Sequence, residues 1–416
     1  MSQLIVVVIG ANDAARIATK RAREVNPEAR IVTIDPADSD TLSLDMDARA
    51  VLVTTNDITK RVRFDSLVYS DITGDADPIV EKSPRFLPEF SFEVAKQALA
   101  ALNAGGLDLH TWQNQRARLP PSTDLLADAG AIIAKDATVF VDEHMCTSLD
   151  GVYACGNAVS LLKAISNNRL GCPSPSMMER AAQVAGTNAA RNQNIETLQP
   201  CAGSEIIHVG DTCFGRTGLS NTELHQFYSQ NEFARSTLMV DEKTVRLLAA
   251  RDTGAIIGGE LVGTSDFVAQ LHLISMCVVK GLKADDLIDL DVDSSLRQTA
   301  EHLRSELSRD TQSISGENLA LWMAEGRTFQ CLDVGATPSP ISRYMSATHV
   351  PLKDLKKRLS DLTTHQPLVV SSPSGRSAVA AFRLLKKKLG TESLFHLEGG
   401  SNAMELLMGD PPSVKH

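Results

Sequence analysis

The chain has 416 residues, with 41 basic and 51 acidic side chains and a net charge of −10. At roughly 100 to 200 residues per domain, that length predicts two to four domains and an ample buried core. The acidic balance, without a dense basic cluster, excludes a phosphate-backbone footprint, so nucleic acid is not an expected partner.

The first element is Leu4 to Gly10, LIVVVIG, a continuous β-branched run of the kind buried on both faces in a parallel sheet. Residues 1–10 lack the basic start and cleavage site of a signal peptide. No apolar run approaches the roughly 18 residues that cross a bilayer, so a cytoplasmic chain with no membrane association is expected. Ala14, Ile17, Ala18, Ala22 and Val25 then recur at helical spacing up to Asn26-Pro27, and Ile31 to Ile34 resumes a strand that ends at Asp35. This is a βαβ unit with an acid where a dinucleotide's ribose hydroxyls are usually held.

Its turn offers Gly10, Asn12 and Ala15 in place of three glycines. Asn12 adds a side chain where backbone should approach a pyrophosphate most closely, and Asp13 brings negative charge toward it. If the acid points inward, two such charges about 5 Å apart repel by several kcal/mol at an effective dielectric near 20, and Asp13→Gly is then expected to raise affinity for a dinucleotide; Asp13 could instead cap the helix and point out.

Residues 36–50 are short and polar. RFDSLVYSDITGDADP (63–78) contains a strand, Phe92 to Leu102 a short helix, and LPPSTDLLADAGAIIAKDATVFVDE (119–143) leads into VDEHMCTSLDGVYACGNA (141–158). In that last stretch a turn at Ser148 to Gly151 precedes the apolar run Val152 to Cys155. The run stops at Gly156-Asn157, a buried strand meeting a tight turn whose free N–H groups can face an anion or a hydroxyl.

A helix follows over 176–192. Strands EIIHVG, STLMVD, VRLLAAR and IIGGELVG come next, then an amphipathic helix from Asp266 to Lys280 and GLKADDLIDLDV (281–292). Phe329 to Leu407 reads as a separate small α/β unit. Its strands are CLDVG and PLVVSS, the second running into the loop Ser371, Ser372, Pro373, Ser374, Gly375, Arg376. The seven cysteines (146, 155, 172, 201, 213, 277, 331) are odd in number, scattered and without a C-x-x-C pair. Neither a disulfide framework nor a metal site is expected.

Residues 141–158 closely resemble the second flavin-binding motif of the pyridine nucleotide-disulfide oxidoreductases, "T-S-x-x-x-I-Y-A-x-G-D-A", with Asn157 at the acid that holds the ribityl chain of FAD. Residues 119–143 resemble that family's "V-R-P-N-T-x-L-L-x-x-A-G", and 63–78 its "Y-D-x-L-L-L-S-x-G-A-x-P", with Gly74 and Pro78 as remnants. The C-terminal part is similar to a rhodanese domain in "L-D-V-R", "I-P-L-x-x-L-x-x-R-L", "V-V-Y-C-x-x-G-x-R-S" and "L-x-G-G". Together these point to the coenzyme A-disulfide reductase or NADH-dependent persulfide reductase branch.

The resemblance implies an α/β chain of three parts. They are a Rossmann-like FAD-binding domain over 1–200, truncated by loss of its nicotinamide-binding insert, an α+β dimerisation domain over 203–310, and an α/β rhodanese-like domain over 316–412. FAD is a possible cofactor, at Gly10, Asn12, Ala15, Asp35, Gly156 and Asn157. NAD(P) is not expected, because only 35 residues separate Pro84 from Pro120, and Phe92 to Leu102 reads as a bridge over a deletion.

Four family features are missing: the redox cysteine after the first acid, the insert, the interface Tyr and Pro residues after "D-L-I-D-L", and the rhodanese cysteine, replaced by Ser371 or Ser372. Oxygen cannot store sulfane sulfur, so no sulfurtransferase activity is expected. Ser371, Ser372, Gly375 and Arg376 could still bind an anion, although a plain turn is the simpler expectation. Two functions follow. One is a diverged, non-catalytic homologue acting in assembly or binding, as a homodimer or with an intact paralogue. The other is a working FAD-dependent oxidoreductase of thiol or sulfur metabolism fed by a partner protein. No catalytic residue is named in either.

Overall fold

The computed structural model describes residues 3–70, 72–73, 86–106, 121–171, 174–358, 366–390 and 392–409. The chain divides into two units, 1–81 with 113–203 and 82–112 with 204–416. Gly74 and Pro78 lie outside the described residues, as does Cys172.

The first unit is built on strand β1 (Ile5–Ile9), helix α1 (Asp13–Val25) and strand β2 (Arg30–Ile34). Strands β3 (Thr41–Asp45), β4 (Ala50–Thr55) and β5 (Ile58–Arg63) form an antiparallel sheet of their own. The sequence reading saw only a polar stretch at 36–50. β5 is exposed along nearly its whole length, so it lacks the apolar alternation that signals a strand. The chain then returns to the parallel sheet as β6 (Ser66–Ser70) and, much later, β7 (Val152–Cys155), giving the order β7-β6-β1-β2. Every residue of β6 and β7 is buried, as the central strands of a parallel sheet must be.

Helix α2 (Phe92–Ala104) belongs to the second unit. From sequence alone it is expected as a bridge within the first domain. Its stripe Val94, Ala98 and Leu102 is fully buried against Ile207, Val209, Phe214 and Val262. An apolar face at i, i+4, i+8 must find cover, and strands downstream provide it.

Helix α3 (Pro175–Arg191) closes the first unit, capped by Ser174, whose hydroxyl accepts the Met177 N–H at 3.3 Å. It crosses α1 through small residues. A Cβ added at Gly186 would stand 2.5 Å from the Ala18 carbonyl oxygen, so only glycine permits this approach.

In the second unit, β8 (Glu205–Val209), β9 (Thr212–Gly218), β10 (Phe233–Val240), β11 (Lys243–Ala250) and β12 (Ile256–Gly263) make an antiparallel sheet in the order β8-β9-β12-β11-β10. The single helix expected from Asp266 to Lys280 is interrupted. A turn at Ser265–Val268 precedes α4 (Leu271–Lys280), which stops at Gly281. α5 (Ser294–Leu307) follows, capped by Asp293.

A parallel sheet completes the unit, with β13 (Ser313–Ile314), α6 (Gly316–Ala324), β14 (Gln330–Asp333), β15 (Ala347–His349), β16 (Leu368–Ser371), α7 (Arg376–Leu389), β17 (Leu394–Leu397) and α8 (Gly400–Met408). Its order is β13-β17-β16-β14-β15.

The parts expected as separate domains at 203–310 and 316–412 share this one unit and are tied by buried charge. Glu398, 3 % exposed, accepts from Arg235 Nε at 2.7 Å, Thr237 Oγ1 at 3.1 Å and Ser313 Oγ at 2.8 Å. Glu306 accepts from His396 Nε2 at 2.8 Å and from the Thr311 hydroxyl at 2.6 Å. These partners hold both carboxyls below the usual carboxylate range despite their burial. β10 is an edge strand, and backbone groups of the C-terminal part cover that edge: Gly399 N–H donates to Thr237 O at 3.0 Å.

Candidate functional site

In an open parallel sheet the place for a ligand is the carboxyl edge of the strands. Four strand ends of the first unit meet there. β1 ends at Gly10, whose N–H donates to Ile34 O at 3.0 Å. β2 ends at Asp35, β6 at Ser70 and β7 at Gly156-Asn157.

Gly156 has φ of +74°, and a Cβ there would lie 3.0 Å from Ser70 Oγ and 3.1 Å from Ala14 Cβ. The two glycine turns seen in the sequence are therefore neighbours, with Ser70 between them. Ser70 was not singled out from the sequence, although it is the serine of the "L-L-L-S" segment.

Asn12 is the N-cap of α1. Its Oδ1 accepts the Ala15 N–H at 3.0 Å and the Ser70 hydroxyl at 2.7 Å, while its backbone oxygen accepts the Arg16 N–H at 3.1 Å. Asp13 does not face the turn. Its carboxylate is 74 % exposed and lies 3.0 Å from Arg16 Nη1, where it also complements the helix N-terminus. The expected repulsion of a bound phosphate by Asp13 thus loses its basis.

Asp35 accepts the Ala37 N–H at 3.0 Å and begins a 3-10 turn. Asn157 is exposed. Asp35 and Asn157 lie at two strand ends of this edge, and in the turn between them the Asn12 side chain already holds the Ala15 N–H.

The other chemistry-bearing residues are quiet. Burial, helped by the carboxylate of Asp142, pushes the Cys146 thiol up to about 11. Cys277 is pushed up to about 11 and Cys331 to about 12, in each case chiefly by burial. Cys201 is also raised. Among these thiols none has the lowered pKa that reactive cysteines need. No group of three His, Cys, Asp or Glu able to hold a metal occurs among the described residues, and no described helix is long and apolar enough to cross a membrane.

The serine loop after β16 is likewise closed on itself. Ser371 and Ser372 are buried, and the Ser372 hydroxyl accepts the Ala378 N–H at 3.2 Å. Gly375 N–H reaches Ser372 O at 3.4 Å, Arg376 N–H reaches Ser374 Oγ at 3.4 Å, and Val379 N–H reaches Gly375 O at 3.4 Å. Arg376 itself is exposed. The Gly375, Arg376 and Ala378 amides are thus engaged within the turn, while the buried Ser371 hydroxyl has no hydrogen-bond partner among the described residues.

No protein-family model matches the chain. Over 98 % of its length and 98 % of the other chain, it superposes on reduced CoADR-RHD from Bacillus anthracis with a TM-score of 0.81 at 13 % identity. The chain has the fold of the pyridine nucleotide-disulfide oxidoreductases. A NAD-dependent persulfide reductase from A. fulgidus shares the oxidoreductase fold with a TM-score of 0.77 at 16 % identity, covering 96 % of this chain and 100 % of that one.

In sequence, an NADH oxidase from Methanocaldococcus jannaschii is 24 % identical over 180 residues, 41 % of this chain. The match spans 39 % of that relative's length. The names of the oxidase and the persulfide reductase both carry a nicotinamide, opposite to the expectation formed here from the short 84–120 segment.

Proposed function

We propose that this chain is a diverged homologue of the FAD-dependent disulfide and persulfide reductases that has lost the thiol step and acts in binding or assembly, as a homodimer or beside an intact paralogue. The observation that carries this reading is Asn12, whose side-chain oxygen closes the helix end where a dinucleotide's pyrophosphate would sit. Two further facts support it. The first cysteine in the chain is Cys146, far past the family position, and its thiol stays protonated at neutral pH. The rhodanese position carries a serine, Ser371 or Ser372, and both are buried. The 35 residues between Pro84 and Pro120 are too few for a second nucleotide-binding domain of the kind the family inserts. The test is the visible absorbance of the purified protein together with disulfide and persulfide reductase assays on NADH; this reading expects no flavin bands and no turnover.

A second reading rests on a specific observation, the convergence of Gly10, Asp35, Gly156 and Asn157 on one sheet edge. On this reading the protein is an FAD-dependent oxidoreductase fed by a partner protein, and the NADH oxidase relative favours it. It requires Asn12 to swing away, and flavin reduced by NADH or by an added electron-transfer protein would establish it.

A further inference from the structure

The second unit contains an open cleft of about 770 Å³ between the edge strand β10, the end of α5 and the face of α6, a size in the range of small-molecule sites, roughly 300 to 1000 Å³. Its chemistry is lopsided. Four arginines line it, but Arg235 is neutralised by Glu398 at 2.7 Å and Arg327 by Glu325 at 2.7 Å. The remaining two make no ion pair within 4.0 Å among the described residues, although the Glu306 carboxylate acts on Arg251 from farther off. Arg251 donates only to main-chain oxygens, Nε to Phe233 O at 3.1 Å and Nη1 to Glu306 O at 2.7 Å, which leaves Nη2 for a ligand. Arg309 makes no side-chain hydrogen bond or ion pair among the described residues.

The one lining carboxylate, Glu306, is already engaged by His396 and Thr311. Burial first, and the neighbouring Arg309 as a smaller cause, hold the Arg251 pKa below its ordinary value against the opposing pull of Glu306. Beside them stands an aromatic wall. Trp322 and Phe395 pack edge to face with centroids 5.3 Å apart, and both line the cleft. Gln230 and Asn318 add amide donors and acceptors at its rim.

We propose that this cleft binds a phosphate attached to an aromatic ring system, of the nucleoside monophosphate class, with the phosphate on Arg251 and Arg309 and the ring against Trp322. Arg309 presents the fork that phosphate oxygens match, and Arg251 Nη2 adds a single donor beside it, while aromatic faces take a base without reading its sequence. A simple oxyanion would use the charge but leave the wall unused. A neutral aromatic would leave two like charges facing each other.

The probe is AMP, titrated calorimetrically into the full chain at low ionic strength, with inorganic phosphate as the second titrant. We expect one AMP per chain, at least tenfold tighter than inorganic phosphate. Arg309→Ala, at an exposed side chain without partners, should fold as the wild type and weaken AMP at least tenfold. Asp35→Ala, in the sheet-edge crevice of the first unit, should leave AMP affinity unchanged. No AMP binding at millimolar concentration, equal affinity for AMP and phosphate, full affinity in Arg309→Ala, or loss of binding in Asp35→Ala would each overturn the proposal.

Discussion

The Ser70 hydroxyl donates to Asn12 Oδ1 across 2.7 Å, and the same oxygen holds the Ala15 amide at 3.0 Å. One side chain thus ties the end of β6 to the start of α1. The turn is a satisfied N-cap rather than an open glycine loop.

Asn12→Gly should open this turn. Glycine is a tolerable N-cap, so the helix should lose only a few tenths of a kcal/mol, while the Ala15 N–H becomes available. After incubation with FAD and desalting, the variant is expected to retain more flavin than the wild type. Equal retention would show that Asn12 is not the obstacle.

Asp13→Gly should leave flavin retention where it was, because the carboxylate already points away to Arg16. The sequence alone suggested a gain. A residue type at a turn shows what could repel a phosphate, but only the backbone shows which of two neighbours turns inward. By contrast, β1, α1 and β2 were legible because LIVVVIG and the 3.6-residue spacing after it are local patterns. The tie between Glu398 and Arg235 spans 163 residues and has no local signal. The covering of α2 by β8 and β9 is equally a tertiary fact.

Glu398→Ala should be among the most damaging single changes in the second unit. It takes from Arg235, 13 % exposed, its direct ion-pair partner, a change that typically costs about 3–5 kcal/mol. Urea unfolding would measure it. Replacing Arg235 by Met in the same chain should recover a large share of the loss, since the remaining penalty is no longer that of an unpaired charge.

Acid should weaken the second unit before Glu306 and Glu398 titrate. Burial first, and the neighbouring His396 second, lower the His302 pKa from 6.5 to about 4. The unfolded chain then binds a proton that the folded chain refuses, so stability present above pH 6.5 is lost as pH falls toward 4. At about 1.4 kcal/mol per unit the ceiling is about 3 kcal/mol. Glu306 and Glu398, whose pKa values are lowered, add their losses only below their unfolded value of 4.5. Urea midpoints across this range should slope downward in acid, and His302→Gln should flatten the upper part of that slope.

Gly186→Ala should destabilise the first unit by about 1–3 kcal/mol, the usual range for overpacking, because its Cβ would press to 2.5 Å from the Ala18 oxygen. A thermal midpoint equal to that of the wild type would mean that α1 and α3 can separate without loss.

The account stands or falls on the flavin. The visible absorbance spectrum of the purified full chain, taken before and after incubation with FAD and then NADH, is the most direct measurement. The account predicts no flavin band after desalting and no oxidation of NADH by the protein. A stoichiometric flavin band that bleaches when NADH is added would contradict it.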